Sequence, residues 1–186
     1  MNGCPSVLRN ILGKEGADVI FSAVDQYGLL QSPDIGIAVR TAPLLQETSQ
    51  HWIELLHGAD PIRLNPLQIA AAASVFSNQG LKANINLLRA VNTAQEGWII
   101  VTESSQEQVI PAQLAESIAD SLASSEISGW EIIAKGSNTS GSYSWYLAGT
   151  PPQWQGTPII LALVMENEDP ESLRQAGREV FRAITR

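Results

Sequence analysis

Apolar positions recur at helical spacing through the first two thirds of the chain and gather into short, dense runs near the end. Val19, Ile20, Ala23, Val24 and Tyr27 share one face of a 3.6-residue period, which predicts a helix over 17–27, with Gly28 at a helix stop. Residues 31–46 have no period and are punctuated by Pro33 and Pro43, so they read as loop. A second helix is expected over 48–56. The next start is better marked: Asn65 is a good N-cap and Pro66 suits the first helical position. Leu67, Ala70, Ala71, Ser74 and Val75 then predict a small-residue face that another element can approach closely, and Asn78-Gln79-Gly80 predicts the end.

Further along, Trp98–Thr102 reads as a short strand. Pro111 opens a helix with Leu114, Ile118 and Leu122 at four-residue spacing. Three strands follow, over 130–134, 143–148 and 159–165. The last is continuously apolar, a pattern that implies cover on both faces. Asp169-Pro170 predicts the start of a final helix whose inner stripe is Leu173, Gly177, Val180, Phe181 and Ile184. Short connections between the strands imply antiparallel pairing. The expected class is α+β, with a single domain over 1–186. Residues 1–128 are expected to be mainly helical, with a short strand at 98–102. Residues 129–186 hold at least three antiparallel strands and a C-terminal helix packed on the sheet.

Composition narrows the partners. The 186 residues are 44% hydrophobic and 16% charged, as expected of a globular chain. The net charge of −8 repels phosphate backbones and anionic lipid, so neither nucleic acid nor a membrane surface is expected as a partner. The longest apolar run is too short to span a bilayer, and the first residues lack the basic and apolar regions of a signal peptide. The single cysteine, Cys4, excludes an internal disulfide and a thiolate-rich zinc site.

Most motifs that carry chemistry are missing. There is no phosphate-binding glycine loop, no dinucleotide fingerprint and no nucleophile elbow. His51 and His57 do not share a helix face well, and no metal or cofactor is expected. Glu166, Glu168, Asp169 and Glu171 cluster before the last helix, where acidic residues favour the helix N-terminus electrostatically. Asn138-Thr139-Ser140 matches the glycosylation sequon. Five scattered tryptophans read as packing residues rather than a sugar platform.

Several segments, taken in order, resemble the second half of a bacterial penicillin-binding transpeptidase domain. Residues 58–70, Gly-Ala-Asp-Pro-Ile-Arg-Leu-Asn-Pro-Leu-Gln-Ile-Ala, resemble the stretch in which a loop enters a long helix through Thr-Pro-Leu-Gln. Ser77-Asn78-Gln79-Gly80 resembles the Ala-Asn-Gly-Gly that closes that helix. Gln108-Val109-Ile110-Pro111 is similar to the lead into the helix before the active-site strand. Lys135-Gly136-Ser137 falls where Lys-Thr-Gly is expected, and Tyr143 to Pro151 resembles the aromatic strand after it. Gly16-Ala17-Asp18 and Gln26-Tyr27-Gly28-Leu29 look like the segment following Ser-x-Asn. The resemblance covers nearly the whole chain but only a portion of a family domain, and it implies a partial transpeptidase/β-lactamase-like fold.

The family's chemistry does not carry over intact. Its serine is acylated by a D-Ala-D-Ala peptide bond or a β-lactam, helped by a lysine one helical turn on. No serine here has a lysine three residues later, and no Ser-x-Asn occurs. The Ser-x-Asn position falls near Gly3-Cys4-Pro5. Lys135-Gly136-Ser137 keeps the lysine that steers a substrate carboxylate and reorders the rest. The resemblance implies a catalytically inactive transpeptidase-like domain, a scaffold or pseudo-enzyme related to peptidoglycan synthesis. Within a larger anchored protein it would lie on the extracytoplasmic side of the bacterial membrane. One alternative is the C-terminal half of an active D,D-transpeptidase whose nucleophile lies in another segment. Another is an unrelated α+β binding module. A peptidoglycan peptide is a possible ligand. Because the family's final strand pairs with strands from the domain's start, Ile159–Met165 is expected to leave an edge open to self-association or a partner chain. Trp98–Thr102 is the competing cover for that edge.

Overall fold

The computed structural model describes residues 16–30, 35, 64–86, 90–100, 106–138 and 141–186. The expected helix over 48–56, both histidines and Gly3, Cys4 and Pro5 lie outside the described residues.

Helix α1 spans Gly16–Gln26 and helix α2 spans Pro66–Ser77. The start of α2 follows from its sequence. The Asn65 carboxamide oxygen accepts from the Leu67 amide at 2.8 Å, and the Asn65 amide donates to the Gln68 side chain at 3.0 Å. Two amides that a helix start leaves without partners are thereby satisfied. At the other end the Gly80 amide donates to the Val75 carbonyl, with Gly80 at a φ of 86°, where a side chain would be strained. The buried side of α2 is Gln68, Ala72, Ala73, Ser74, Val75 and Ser77, so its packed face lies partly to one side of the predicted stripe.

The chain then forms β1 (Leu81–Lys82), β2 (Ala90–Thr93), β3 (Gly97–Ile100) and β4 (Glu107–Gln108). Strand β1 pairs antiparallel with β4, and β2 with β3. The Lys82 ammonium donates to the Gln26 carbonyl at 3.0 Å and to the Glu107 carboxylate at 2.9 Å, tying the end of α1 to this ladder. The strand expected at 98–102 is therefore half of a separate hairpin. Its described residues pair with 90–93 and not with the last strand of the chain.

Helix α3 (Ala112–Ser121) follows Pro111. Its periodicity is as predicted but its phase is not: Ala115 and Ala119 are buried, while Leu114 is exposed. Alanine permits close approach, and α3 meets its neighbours through these small residues. A four-stranded antiparallel sheet comes next, built of β5 (Ala123–Ser124), β6 (Gly129–Asn138), β7 (Gly141–Gly149) and β8 (Ile160–Glu166), in that order across the sheet. Helix α4 (Pro170–Ile184) closes the described chain. Asp169 caps it, accepting from the amides of Glu171 at 3.1 Å and Ser172 at 3.2 Å. Among the described residues no helix is long and apolar enough to cross a membrane.

The sheet is covered on both sides, and its alternation sorts the layers. Trp130, Ile132, Leu147 and Ile160 face α2 and α3, packing with Ala73, Phe76, Ala119 and Leu122. Tyr146, Ala148, Leu161 and Leu163 face α4, packing with Leu173 and Phe181. Of the predicted inner stripe of α4, Leu173, Gly177 and Phe181 are buried, whereas Val180 and Ile184 are exposed. Two glycines are required by close approach. A Cβ on Gly149 would run into the Trp130 ring, and one on Gly177 into the Tyr146 ring.

Candidate functional site

Strand β6 carries the candidate site, and its two ends differ. The Trp130 end is held on both sides. Trp130 is buried, its indole N–H donates to the Ser77 hydroxyl at 2.9 Å, and Phe76 meets its ring edge-on at 5.7 Å between centroids. Buried tryptophan needs a partner for its N–H, and Ser77 from the end of α2 supplies it.

Glu131, next along the strand, points to the α4 side. Its carboxylate accepts from the Arg178 guanidinium at 3.0 Å, from the Tyr146 hydroxyl at 3.0 Å and from the Ser124 hydroxyl at 3.0 Å. The Arg178 hydrogen bond holds the Glu131 carboxyl below the usual carboxylate range, against burial, which pushes it up. Burial, reinforced by the negative charge of Glu131, pushes the Tyr146 hydroxyl well above its ordinary value. The cluster joins β5, β6, β7 and α4. A charged residue between Trp130 and Ile132 is the sequence signal for it, since a carboxylate in a packed strand needs a partner.

The other end of β6 bears Lys135, Gly136 and Ser137. They lie within the strand, opposite Ser144, Tyr143 and Ser142 of β7. Lys135 and Gly136 are exposed, and a Cβ on Gly136 would meet nothing within 4 Å. On its outer side β6 pairs with β5 only at Gly129 and Trp130, and the Glu131 amide donates to the Leu122 carbonyl at 3.1 Å. From Ile132 to Asn138 that side has no strand partner among the described residues. Such an edge presents alternate backbone N–H and C=O groups to an extended peptide, with the Lys135 ammonium as a cation for a carboxylate.

Ser144, across the ladder from Lys135, is buried, and its hydroxyl donates to the Glu168 carbonyl at 2.8 Å. Its proton is committed to a backbone carbonyl, not to a general base, so this serine is not set up as an activated nucleophile. The acidic cluster resolves into structural roles: Asp169 caps α4, and Glu171 pairs with Arg174 at 3.0 Å.

Comparisons with known proteins fit this geometry. A family model described as penicillin binding protein transpeptidase domain matches residues 4–186. The fold is similar to that of penicillin-binding protein A from Mycobacterium tuberculosis in its imipenem acyl-enzyme complex. That match has a TM-score of 0.72 at 20% identity, covering 98% of this chain and 45% of that one. Another crystal structure of that Mycobacterium tuberculosis protein matches with a TM-score of 0.76 at 19% identity, covering 98% and 47%. The D,D-transpeptidase domain of a peptidoglycan glycosyltransferase from Eggerthella lenta matches with a TM-score of 0.72 at 15% identity, covering 97% and 50%. The chain thus spans about half the length of these solved structures. A comparison with curated proteins finds no match. With the family model spanning nearly all of its residues, the chain belongs to the penicillin-binding protein transpeptidase domain family.

Proposed function

We propose that this chain is a non-catalytic transpeptidase-family domain that holds a peptide along the open edge of β6. The observation that carries the reading is the state of that strand. Its Trp130 end is packed and bonded, whereas its Lys135 end keeps an exposed lysine on an edge open among the described residues, without the family's Lys-Thr-Gly order. Within the 186 residues there is no Ser-x-x-Lys and no Ser-x-Asn. Without a lysine placed to take its proton, a serine hydroxyl is a weak nucleophile at neutral pH. An extended peptide ending in a carboxylate fits the remaining features: ladder hydrogen bonds along Ile132–Asn138 and charge pairing at Lys135. The chemistry points to a peptidoglycan stem peptide and a role in cell-wall assembly, on the extracytoplasmic side of the membrane.

A second reading rests on the length comparison. The chain spans about half of the solved structures it matches, so it could act as the C-terminal half of an active D,D-transpeptidase whose nucleophile is supplied by another segment.

One experiment tests the first reading: titration of the chain with a peptide ending in D-alanyl-D-alanine, following backbone amide shifts and release of D-alanine together. Shifts confined to residues 132–138 without release are expected. Release of D-alanine contradicts the non-catalytic reading, and the absence of any shift along β6 contradicts the peptide-holding one.

A further inference from the structure

Strand β6 changes from a held strand to an open one at a single residue. The Glu131 amide donates outward to the Leu122 carbonyl at 3.1 Å, and beyond it no described strand pairs with β6 on that side. In an antiparallel sheet the N–H and C=O of one residue point to the same side, and the side alternates from residue to residue. The pairing of β6 with β7 keeps one register from Trp130 opposite Gly149 to Asn138 opposite Gly141, so no bulge resets this alternation. Ile133, Lys135 and Ser137 therefore point outward with Glu131, while Ile132, Ala134 and Gly136 are turned to β7. The far side of β7 gives the same phase. The Ser142 carbonyl accepts from the Asn167 amide at 2.7 Å, away from β6, so Ser137 opposite it is left to face outward.

We propose that Glu131 is the positioning residue of this edge: it ends the pairing with β5 at its own amide and anchors the phase, so that a bound strand is held by the N–H and C=O groups of Ile133, Lys135 and Ser137. Its carboxylate is shared by every element around that point. Ser124 of β5 donates to one oxygen, Tyr146 of β7 to the other, and the Arg178 Nε of α4 lies within 3.2 Å of both. Strand β5 has only two residues, which leaves its register to such anchors. Glu131 and Lys135 lie four apart, on the same face of the strand, so the ammonium that would meet the peptide's carboxylate rises on the side of the sheet that carries the clamp. Three outward residues over 133–137 match about five residues of extended chain. The inference rests on the peptide-holding reading for its ligand but not for its phase.

The test is amide hydrogen exchange of the full chain, read residue by residue by NMR, alone and with a pentapeptide ending in D-alanyl-D-alanine. In the free chain the amides of Ile132, Ala134 and Gly136 are expected to be protected and those of Ile133, Lys135 and Ser137 to exchange freely. The peptide is expected to slow the second set and leave the first as it was. Glu131→Gln keeps the size of the side chain and removes its charge. It is expected to speed exchange at position 131 and to weaken peptide binding several-fold, with protection over 141–149 as in the wild type. Ser124→Ala removes one donor to the same carboxylate, is expected to act in the same direction, and takes the place of Glu131→Gln should that variant not fold. Protection of Ile133, Lys135 and Ser137 in the free chain overturns the proposal. So does peptide binding that both variants leave unchanged. A free chain with the expected phase on which the peptide slows nothing removes the peptide-holding reading, and with it the role of Glu131 toward a ligand.

Discussion

The two ends of β6 belong to one strand and have opposite relations to their surroundings. At Trp130 and Glu131 almost every polar group has a partner and every apolar surface has cover: Ser77, Phe76 and Gly149 on one face, Arg178, Tyr146 and Ser124 on the other. At Lys135 and Gly136 the strand is exposed and its outer side is open among the described residues. In this family member the packing contacts at one end of β6 are in place, while at the other end the sequence reads Lys135-Gly136-Ser137 rather than Lys-Thr-Gly.

Substitutions at the two ends should separate sharply. Trp130→Ala removes a buried ring with its indole hydrogen bond and should cost about 3–5 kcal/mol, read as a fall in chemical-denaturation midpoint. A midpoint unchanged by this substitution would mean that the packed end is not what holds β6. Among the tryptophans that the sequence reads as packing residues, Trp130 is the deeper in the sheet. Trp145 is only partly buried, so Trp145→Ala should cost less than Trp130→Ala in the same titration.

Arg178→Ala leaves the Glu131 carboxylate in place without its strongest partner and should cost about 2–3 kcal/mol, the scale of hydrogen bonds to a charged group. The same cluster sets a pH dependence at both extremes. The Glu131 carboxyl is held below its ordinary value of 4.5 in the folded state, so its contribution is present above that value and is lost as pH falls beneath it. The Tyr146 hydroxyl is raised above its ordinary value of 10.0. Below that pH its contribution is complete, and above it the unfolded chain ionises first and stability falls. Glu131→Gln should flatten the acid limb and Tyr146→Phe the alkaline limb of a stability-against-pH curve. Limbs unaltered by these variants would assign the titration to other groups.

Lys135→Ala is the smallest effect on stability, within about 0.5 kcal/mol, because the side chain is exposed. Its effect belongs instead to ligand: the amide shifts along 132–138 on adding a carboxylate-terminated peptide should weaken. A large loss of stability from this substitution would place Lys135 in the packing and remove the contrast between the two ends.

Elements set by local chemistry were legible in the sequence, and contacts between distant segments were not. Asn65-Pro66 and Asp169-Pro170 mark helix starts through local chemistry, and both helices begin there. The three long strands follow from their apolar runs, although β6 continues to Asn138 because the hairpin with β7 carries it past the last apolar residue. Pairings between segments distant in sequence were not legible. Leu81–Lys82 and Glu107–Gln108 are too short to show a period, and the partner of 97–100 is set by the hairpin itself. The phase of α3 was missed because size suggested Leu114 as the core residue, while close packing selected Ala115 and Ala119. At the site, Lys135-Gly136-Ser137 could be located from the residues around it. The Glu131–Arg178 pair could not, since its members are 47 positions apart.

The central proposal is that this transpeptidase-family domain, as the 186 residues stand, offers no serine able to be acylated. Intact-mass spectrometry of the chain after prolonged incubation with benzylpenicillin tests it most directly. The account predicts an unchanged mass. A stoichiometric gain equal to one opened β-lactam, mapped to a serine of this chain, would contradict it.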